Sequence, residues 1–340
     1  MKAALYYALQ DIRLEEMPTP TIGKQEALVK MKACGICGSD LMDWYVRTRA
    51  PTVLGHEPSG TIVKVGSRVQ EFDVEDRVFV HHHVACLTCH YCTHGDYTLC
   101  KQFHETNIDP GGLAQYFRVP EPNLRLDTLK IPESISFEEA TLIEPIGCCI
   151  RALRKNNIQA GSTVAILGAG TTGAIFTAVS KVFKASKTIV SDPIEYRLKM
   201  AKNFGADETI NPEKENPEPA VMAWTDGIGV DLVFVTAPFV DAYKVALRIA
   251  RKGGKICLFA PTSPGSYLQI SPRDLFFSEK TIAPSYSTSH LETREALQII
   301  ESRSIRAGEL ITHRFNLMEA LEAFRTASED KRSLKVVVMD

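Results

Sequence analysis

The sequence predicts an α/β protein in which a parallel, doubly wound sheet accompanies a separate β-rich region. From residue 163 onward, short apolar runs alternate with helical stretches, the rhythm of a doubly wound parallel sheet. Residues 1–140 break instead into many short strand-like runs punctuated by proline and glycine. Where the two regimes meet, Gly168-Ala169-Gly170-Thr171-Thr172-Gly173 follows an apolar run and opens a helix, which places a G-x-G-x-x-G fingerprint inside one βαβ unit.

Taken in order, the runs 27–31, 60–65 and 77–80 read as strands, with Pro18, Pro20, Pro51 and Pro58 between them. The second region reads as strand 163–167, helix 171–184, strand 188–191 and helix 195–204. Further apolar runs at 231–235, 256–260 and 281–283, with a helical stretch at 241–250, bring the sheet to about six strands, as a dinucleotide domain needs. Residues 211–219, rich in Pro, Glu and Asn, read as a solvated loop. Helix 291–302 and strand 334–338 return to the first domain, because the sheet already has its strands. The expected domains are 1–148, 149–284 and the return 285–340.

Composition excludes several classes. With 340 residues, 44% of them hydrophobic, the chain can bury a core in each of two domains. A formal net charge of −2 supplies no basic field for nucleic acid or an anionic membrane, and no apolar run approaches the roughly 20 residues that span a bilayer. Residues 1–30 carry Lys2, Asp11, Arg13 and Glu15 and no signal-like apolar stretch, so a cytoplasmic setting is expected.

Cys86, Cys89, Cys92 and Cys100 follow a C-x2-C-x2-C-x7-C spacing. In a reducing compartment such a loop gathers thiolates on a tetrahedral zinc ion and does not form disulfides. Four sulfurs close the shell, so this site is expected to be structural. A second set, Cys37-Gly38-Ser39-Asp40 and Gly55-His56-Glu57, offers one sulfur, one imidazole and carboxylate oxygens. Fewer than four strong protein ligands is the pattern of a catalytic zinc that keeps a place for water or substrate. Singly, a buried cysteine is usually core, a His after Gly a turn residue and a Glu solvated; together they point to metal.

In the fingerprint, Gly168 permits the tight turn, Gly170 lets backbone approach a pyrophosphate, and Gly173 lets helix and sheet pack closely. The helix N-terminus, with Thr172 in its first turn, then faces phosphate. Asp192, 19 residues after Gly173, can accept hydrogen bonds from ribose hydroxyls and repel a 2′-phosphate, which favours NAD over NADP; the same residue could cap the next helix with Pro193 at its first position. Arg197 either contacts the adenine side or is a solvated helix residue. Thr236, after strand 231–235, completes the expected cofactor-facing set.

The run Gly55-His56-Glu57-x2-Gly60-x5-Gly66-x2-Val69, with Cys37, the cysteine loop and the glycine fingerprint, resembles the zinc-containing medium-chain dehydrogenase/reductase superfamily, nearest its polyol (sorbitol) and threonine dehydrogenase branches. The resemblance spans essentially the whole chain. It implies a Rossmann domain inserted in a GroES-like catalytic domain built from both termini, and a cleft where zinc meets nicotinamide. It further implies a catalytic zinc held by Cys37, His56 and Glu57, with Glu144 of the Glu144-Pro145 pair at or near the metal. Ser39 is implied to take the alcohol proton and Asp40 to orient His56, while Met42 stands where many relatives carry an outer relay histidine. Cys148 and Cys149 are expected to be packing thiols. His83 resembles a substrate-touching histidine of the threonine branch, although a His81-His82-His83 run could equally end a strand at the surface. Glu75 occupies a turn position where relatives commonly have Gly.

The implied activity is zinc-dependent hydride transfer between a secondary alcohol, polyol or hydroxy amino acid, and NAD, in a homo-oligomer (dimer or tetramer) with two zinc ions per chain. Simple alcohols or aldehydes with NADP form the alternative. A zinc-ribbon regulatory protein conflicts with the fingerprint and charge, and a zinc-free quinone reductase with the presence of Cys37, His56 and Glu57.

Overall fold

The computed structural model describes residues 1–340, which form two compact units, Met1–Gly147 with Thr288–Asp340, and Cys148–Ser287. Numbered along the chain, the first strands are β1 (Lys2–Ala8), β2 (Asp11–Glu16), β3 (Ala27–Ile36), β4 (Thr52–Val53), β5 (Glu57–Val65), β6 (Arg77–Val80), β7 (Tyr116–Val119) and β8 (Thr128–Lys130). The middle unit holds β9 (Thr163–Leu167), β10 (Lys187–Ser191), β11 (Glu208–Ile210), β12 (Val230–Val235), β13 (Ala250–Leu258) and β14 (Thr281–Pro284). β15 (Ile311–Asn316) and β16 (Lys335–Met339) close the chain.

The middle unit is the expected doubly wound sheet, in the order β11-β10-β9-β12-β13-β14 with every pairing parallel. Its inner strands are apolar on both faces, as a covered parallel sheet requires; Val164, Ile166, Val233 and Phe234 are fully buried or nearly so. Phe176, on the helix Thr171–Val182, stacks on Phe234 with ring centroids 4.5 Å apart and fastens the helix that opens from the glycine turn. One strand of this sheet was not read from sequence, and one local expectation is corrected. The stretch before 211 forms β11, too short to show a period. The loop read over 211–219 ends in the helix Pro217–Trp224, because Asn216 caps it by accepting the Glu218 N–H and Pro217 sits in the first turn, where its missing donor costs nothing.

In the first unit, β15-β16-β3-β5-β6-β8 form a sheet with β7 also on β3, and β2-β1-β4 form a smaller sheet. Tyr6, Met31, Ile62, Phe117 and Phe324 are buried in a common core. β3 is the organising strand. It pairs antiparallel with β5 so that Gly35 lies opposite Glu57, and antiparallel with β16 so that Ile36 lies opposite Val336. The end of β3, the start of β5 and the start of β16 therefore meet at one edge. β15 was not anticipated; its Thr-His-Arg-Phe-Asn stretch is half exposed and lacks an apolar period.

Glu75, the turn residue where glycine was expected, adopts φ +76°, with its N–H bonded to the Ile62 carbonyl. A side chain in this left-handed region costs about 1 kcal/mol that glycine avoids. Glu75→Gly is accordingly expected to raise the thermal unfolding midpoint with activity unchanged; a lowered midpoint would remove the strain argument.

Candidate active site

Three ligand-type atoms converge where those strand ends meet. Cys37 follows the last residue of β3 and starts the short 3-10 turn Gly38–Leu41, and His56 immediately precedes β5, whose first residue is Glu57. Strand pairing alone thus brings residues 19 and 20 positions apart together, and the Cys37, His56 and Glu57 ligand atoms lie within 4.8 Å of one another. Asp40, buried under the turn, accepts the Cys37 N–H at 3.0 Å and lies 3.3 Å from His56 Nδ1, which leaves Nε2 of His56 available as a ligand atom. Burial works against a charge on His56, but the neighbouring Asp40 and Cys37 charges outweigh it and raise its pKa well above the ordinary value.

Glu57 is fully buried, and one carboxylate oxygen pairs with the ammonium of Lys335, while the other, Oε1, is buried without a partner. An orphaned anionic oxygen beside a thiol and an imidazole fits a divalent cation of zinc type. Lys335, the first residue of β16 and 1% exposed, also donates to the Ile36 carbonyl at 3.1 Å. Burial alone would pull its pKa down, yet the Glu57 charge holds it above the ordinary lysine value. Gly35 makes room for the pair, since a Cβ there would come within 2.0 Å of Glu57 Oε2. Lys335 was missed from sequence, although a lysine inside the otherwise apolar Leu334-Lys335-Val336-Val337-Val338 run was a usable signal. Glu144 is buried in the helix Ile143–Lys155; it raises both the Glu57 and the Lys335 pKa by its charge but stands outside the three-ligand group.

Ser39 lies partly exposed on the turn between Cys37 and Asp40, and Met42 ends that turn with its N–H on the Ser39 carbonyl. The histidine run is not a surface strand end. His81 is fully buried, and the rings continue as a row of tilted contacts: His56 to His82 at 5.0 Å and His82 to His83 at 4.0 Å between centroids. His83 Nδ1 bonds the Thr106 carbonyl at 2.6 Å and burial lowers its pKa to about 3, so it stays neutral.

Cys86, Cys89, Cys92 and Cys100 also converge within 4.8 Å. The Sγ–Sγ distances of 3.5 Å (Cys89 to Cys92) and 3.9 Å (Cys86 to Cys92) bracket the roughly 3.8 Å edge of a tetrahedron with 2.3 Å metal–sulfur bonds. They are far from the 2.05 Å or so of a disulfide. Backbone N–H groups of Thr88 and Cys89 and the Thr88 hydroxyl point at Cys86 Sγ and lower its pKa to about 6, favouring thiolate.

In the other unit, Gly168 has φ +108° and Gly173 packs so tightly that a Cβ would lie 1.9 Å from the Gly168 carbonyl. At Gly170 a Cβ would meet nothing within 4 Å, and φ is −66°. Protein packing therefore dictates Gly173 but not Gly170, whose open face fits a close-lying pyrophosphate. Asp192, 5% exposed, accepts the Ala169 N–H on one oxygen and the Ile194 N–H on the other, both at 2.8 Å. The following helix starts at Glu195, two residues later than Pro193, because Asp192 first ties down an intervening turn. Thr236 donates its hydroxyl to the Gly168 carbonyl at 2.9 Å and so braces the glycine turn. Thr172 is half-buried in the first helical turn, and Arg197 Nε is buried without a partner. Cys148 and Cys149, the first residues of the middle unit, are buried and belong to neither ligand group.

Fold and donor sets together define a class, the metal-dependent dehydrogenases that join a β-rich domain to a Rossmann domain. Residues 23–133 match the alcohol dehydrogenase GroES-like domain family, and residues 171–302 match the zinc-binding dehydrogenase family. The chain belongs to the zinc-containing medium-chain alcohol dehydrogenase family. It is 34% identical to sorbitol dehydrogenase of Bacillus subtilis (strain 168), over 99% of this chain and 97% of that one. Identity to L-threonine 3-dehydrogenase of Pyrococcus furiosus is 33%, over 96% and 94%. The alcohol dehydrogenase TADH from Thermus sp. ATN1 superposes with TM-score 0.89 at 28% identity, covering 100% of this chain and 99% of that one.

Proposed function

We propose that this dehydrogenase oxidises a secondary alcohol of the polyol or hydroxy amino acid class and transfers the hydride to NAD. The observation that carries the reading is the convergence of Cys37, His56 and the orphaned Oε1 of Glu57 on one point, beside a separate, saturated set of four thiols. Zinc held by Cys37, His56 and Glu57 would polarise the substrate oxygen as a Lewis acid, and NAD bound over Gly168–Gly173 would accept the hydride. The chain's own residues supply the rest. Asp40 keeps His56 in one orientation, and Lys335 holds one Glu57 oxygen so that the other stays aimed at the cluster. Ser39, partly exposed on the same turn as Asp40, would receive the alcohol proton. Glu144 lends its charge from nearby without joining the group. Cys86, Cys89, Cys92 and Cys100 would clamp their loop around a second zinc.

NAD is preferred to NADP because the buried Asp192 carboxylate, though tied to two backbone N–H groups, keeps lone pairs to accept from ribose hydroxyls and would repel a 2′-phosphate. Arg197, with a buried, unpartnered nitrogen, is a ready contact for the adenosine side. Four thiols at ligand distances fit a cytoplasmic setting. An oligomer is supported by the open edge of the parallel sheet at β14 and by Phe276 and Phe277, 74% and 69% exposed on the neighbouring helix Pro272–Ser278.

The test is nicotinamide reduction with NAD and NADP over a panel of polyols, hydroxy amino acids and simple alcohols, with metal analysis of the same sample. Robust turnover of polyols with NAD is expected; zinc content with no nicotinamide binding would sink the dehydrogenase reading. Within the cofactor site, Gly170→Ala is expected to leave the unfolding midpoint in place but to weaken NADH binding by about tenfold or more, since a methyl group enters only ligand space. Gly173→Ala is expected to lower stability instead, because its Cβ would overlap the Gly168 carbonyl. Equal effects on binding and stability in the two variants would contradict that division.

A further inference from the structure

Beside the three-ligand cluster lies a buried polar network that the chemistry above does not use. His81 and Asp127 are both fully buried, with His81 Nδ1 2.8 Å from Asp127 Oδ2. The second oxygen of Asp127 accepts the Thr293 hydroxyl at 2.7 Å, and Arg294 lies 3.7 Å from that same oxygen. Asn123 adds a second brace by donating to the His81 and His82 carbonyls at 2.9 and 2.7 Å. Segments around residues 81, 123–127 and 293 are thereby locked together behind the histidine run. A buried network of this kind makes one ring orientation strongly preferred.

At its front end the network is incomplete. Asp127 accepts the hydrogen bond from His81 Nδ1–H, and the ring's other nitrogen, Nε2, is buried without a partner. The next residue shows the same lack: the Nδ1 of His82 is also buried and unpartnered. The two rings stand edge to face, 5.2 Å apart, and His82 in turn packs 5.0 Å from His56. Orphaned buried nitrogens are costly, and two on neighbouring rings beside a reaction centre call for a common occupant. An apolar substituent would leave both unmet. A hydroxyl both donates and accepts, so it completes either nitrogen whichever tautomer His82 takes.

We propose that His81 and His82 form a substrate subsite for the hydroxyl on the carbon adjacent to the reacting carbinol, with Asp127 and Thr293 as positioning residues that fix the His81 ring. The subsite rests on the polyol reading above and narrows it to vicinal diols. Asp127 and Thr293 touch no substrate; they act through His81, while His82 supplies the contact closest to the metal cluster.

The test compares propylene glycol with isopropanol, which differ at the neighbouring carbon by one hydroxyl. For His82→Leu the ratio of kcat/KM values, glycol over isopropanol, is expected to fall by about tenfold or more, the worth of one hydrogen bond to a buried acceptor. His82→Gln, which keeps an acceptor oxygen, is expected to recover part of that ratio. Asp127→Asn should lower it too, with loss of the downfield proton resonance of His81 Nδ1. In histidine-labelled wild-type enzyme saturated with NADH, propylene glycol should shift the His81 and His82 ring-nitrogen signals, and isopropanol should not. Equal losses on both alcohols, or ring signals indifferent to the glycol, would overturn the subsite and leave the dehydrogenase reading standing. Failure of the wild-type enzyme to reduce NAD or NADP with any alcohol would overturn that reading itself.

Discussion

Cys37→Ser is expected to reduce turnover by about a thousandfold or more while leaving the unfolding midpoint within a few degrees of the parent. The thiolate is the only soft donor in the three-ligand group, and its removal forfeits several kcal/mol of transition-state stabilisation from a metal ion at that point. Little structure depends on it, because Cys37 is partly exposed at the end of β3 and its backbone stays bonded to Asp40. Cys89→Ser should show the opposite profile. Removing one of four converging thiolates weakens a site whose binding energy is folding energy, so a loss of several kcal/mol and release of one zinc are expected, with catalysis falling only as the loop opens. Parallel denaturation, zinc analysis and initial rates check the pair. Loss of stability equal in both variants would refute the assignment of one site to chemistry and the other to structure.

Lys335→Met is expected to destabilise the chelator-treated protein by about 3–5 kcal/mol, the cost of leaving a buried carboxylate without its cation. Glu57 is fully buried and its second oxygen already lacks a partner, so no local group can take over from the ammonium. Zinc should recover part of the loss, because a divalent cation at the cluster neutralises the same carboxylate. Lys335→Met combined with Glu57→Gln should be more stable than Lys335→Met alone, since no uncompensated charge remains. Urea denaturation with and without zinc measures each quantity. A single variant as stable as the parent under chelation would mean that the pair does not hold the carboxylate.

Much of this was legible before folding. The strand and helix rhythm after residue 163 is local, and the six-stranded parallel sheet follows it, apart from β11, which at three residues is too short to display a period. The cysteine loop was equally readable because its ligands lie within 15 residues of one another, so spacing nearly determines geometry. The helix at Pro217 was not anticipated; proline and glutamate weigh toward loops in composition, and only their position behind the Asn216 cap turns them into a helix start. The sequence leaves the histidine run open between substrate contact and surface, and burial of His81 against Asp127 closes the surface alternative.

From the sequence alone came the class of fold, the two donor sets and the dinucleotide fingerprint, since each is written in short-range spacing that any fold of this pattern must respect. Only the tertiary structure revealed that Lys335 reaches Glu57 across 278 residues, that Thr293 supports His81 through Asp127, and that Asp192 braces the glycine turn. These are pairings between distant segments. They arise because a buried charge or imidazole must find its complement wherever strand register happens to place one, and register is settled by the packing of whole sheets rather than by neighbours along the chain.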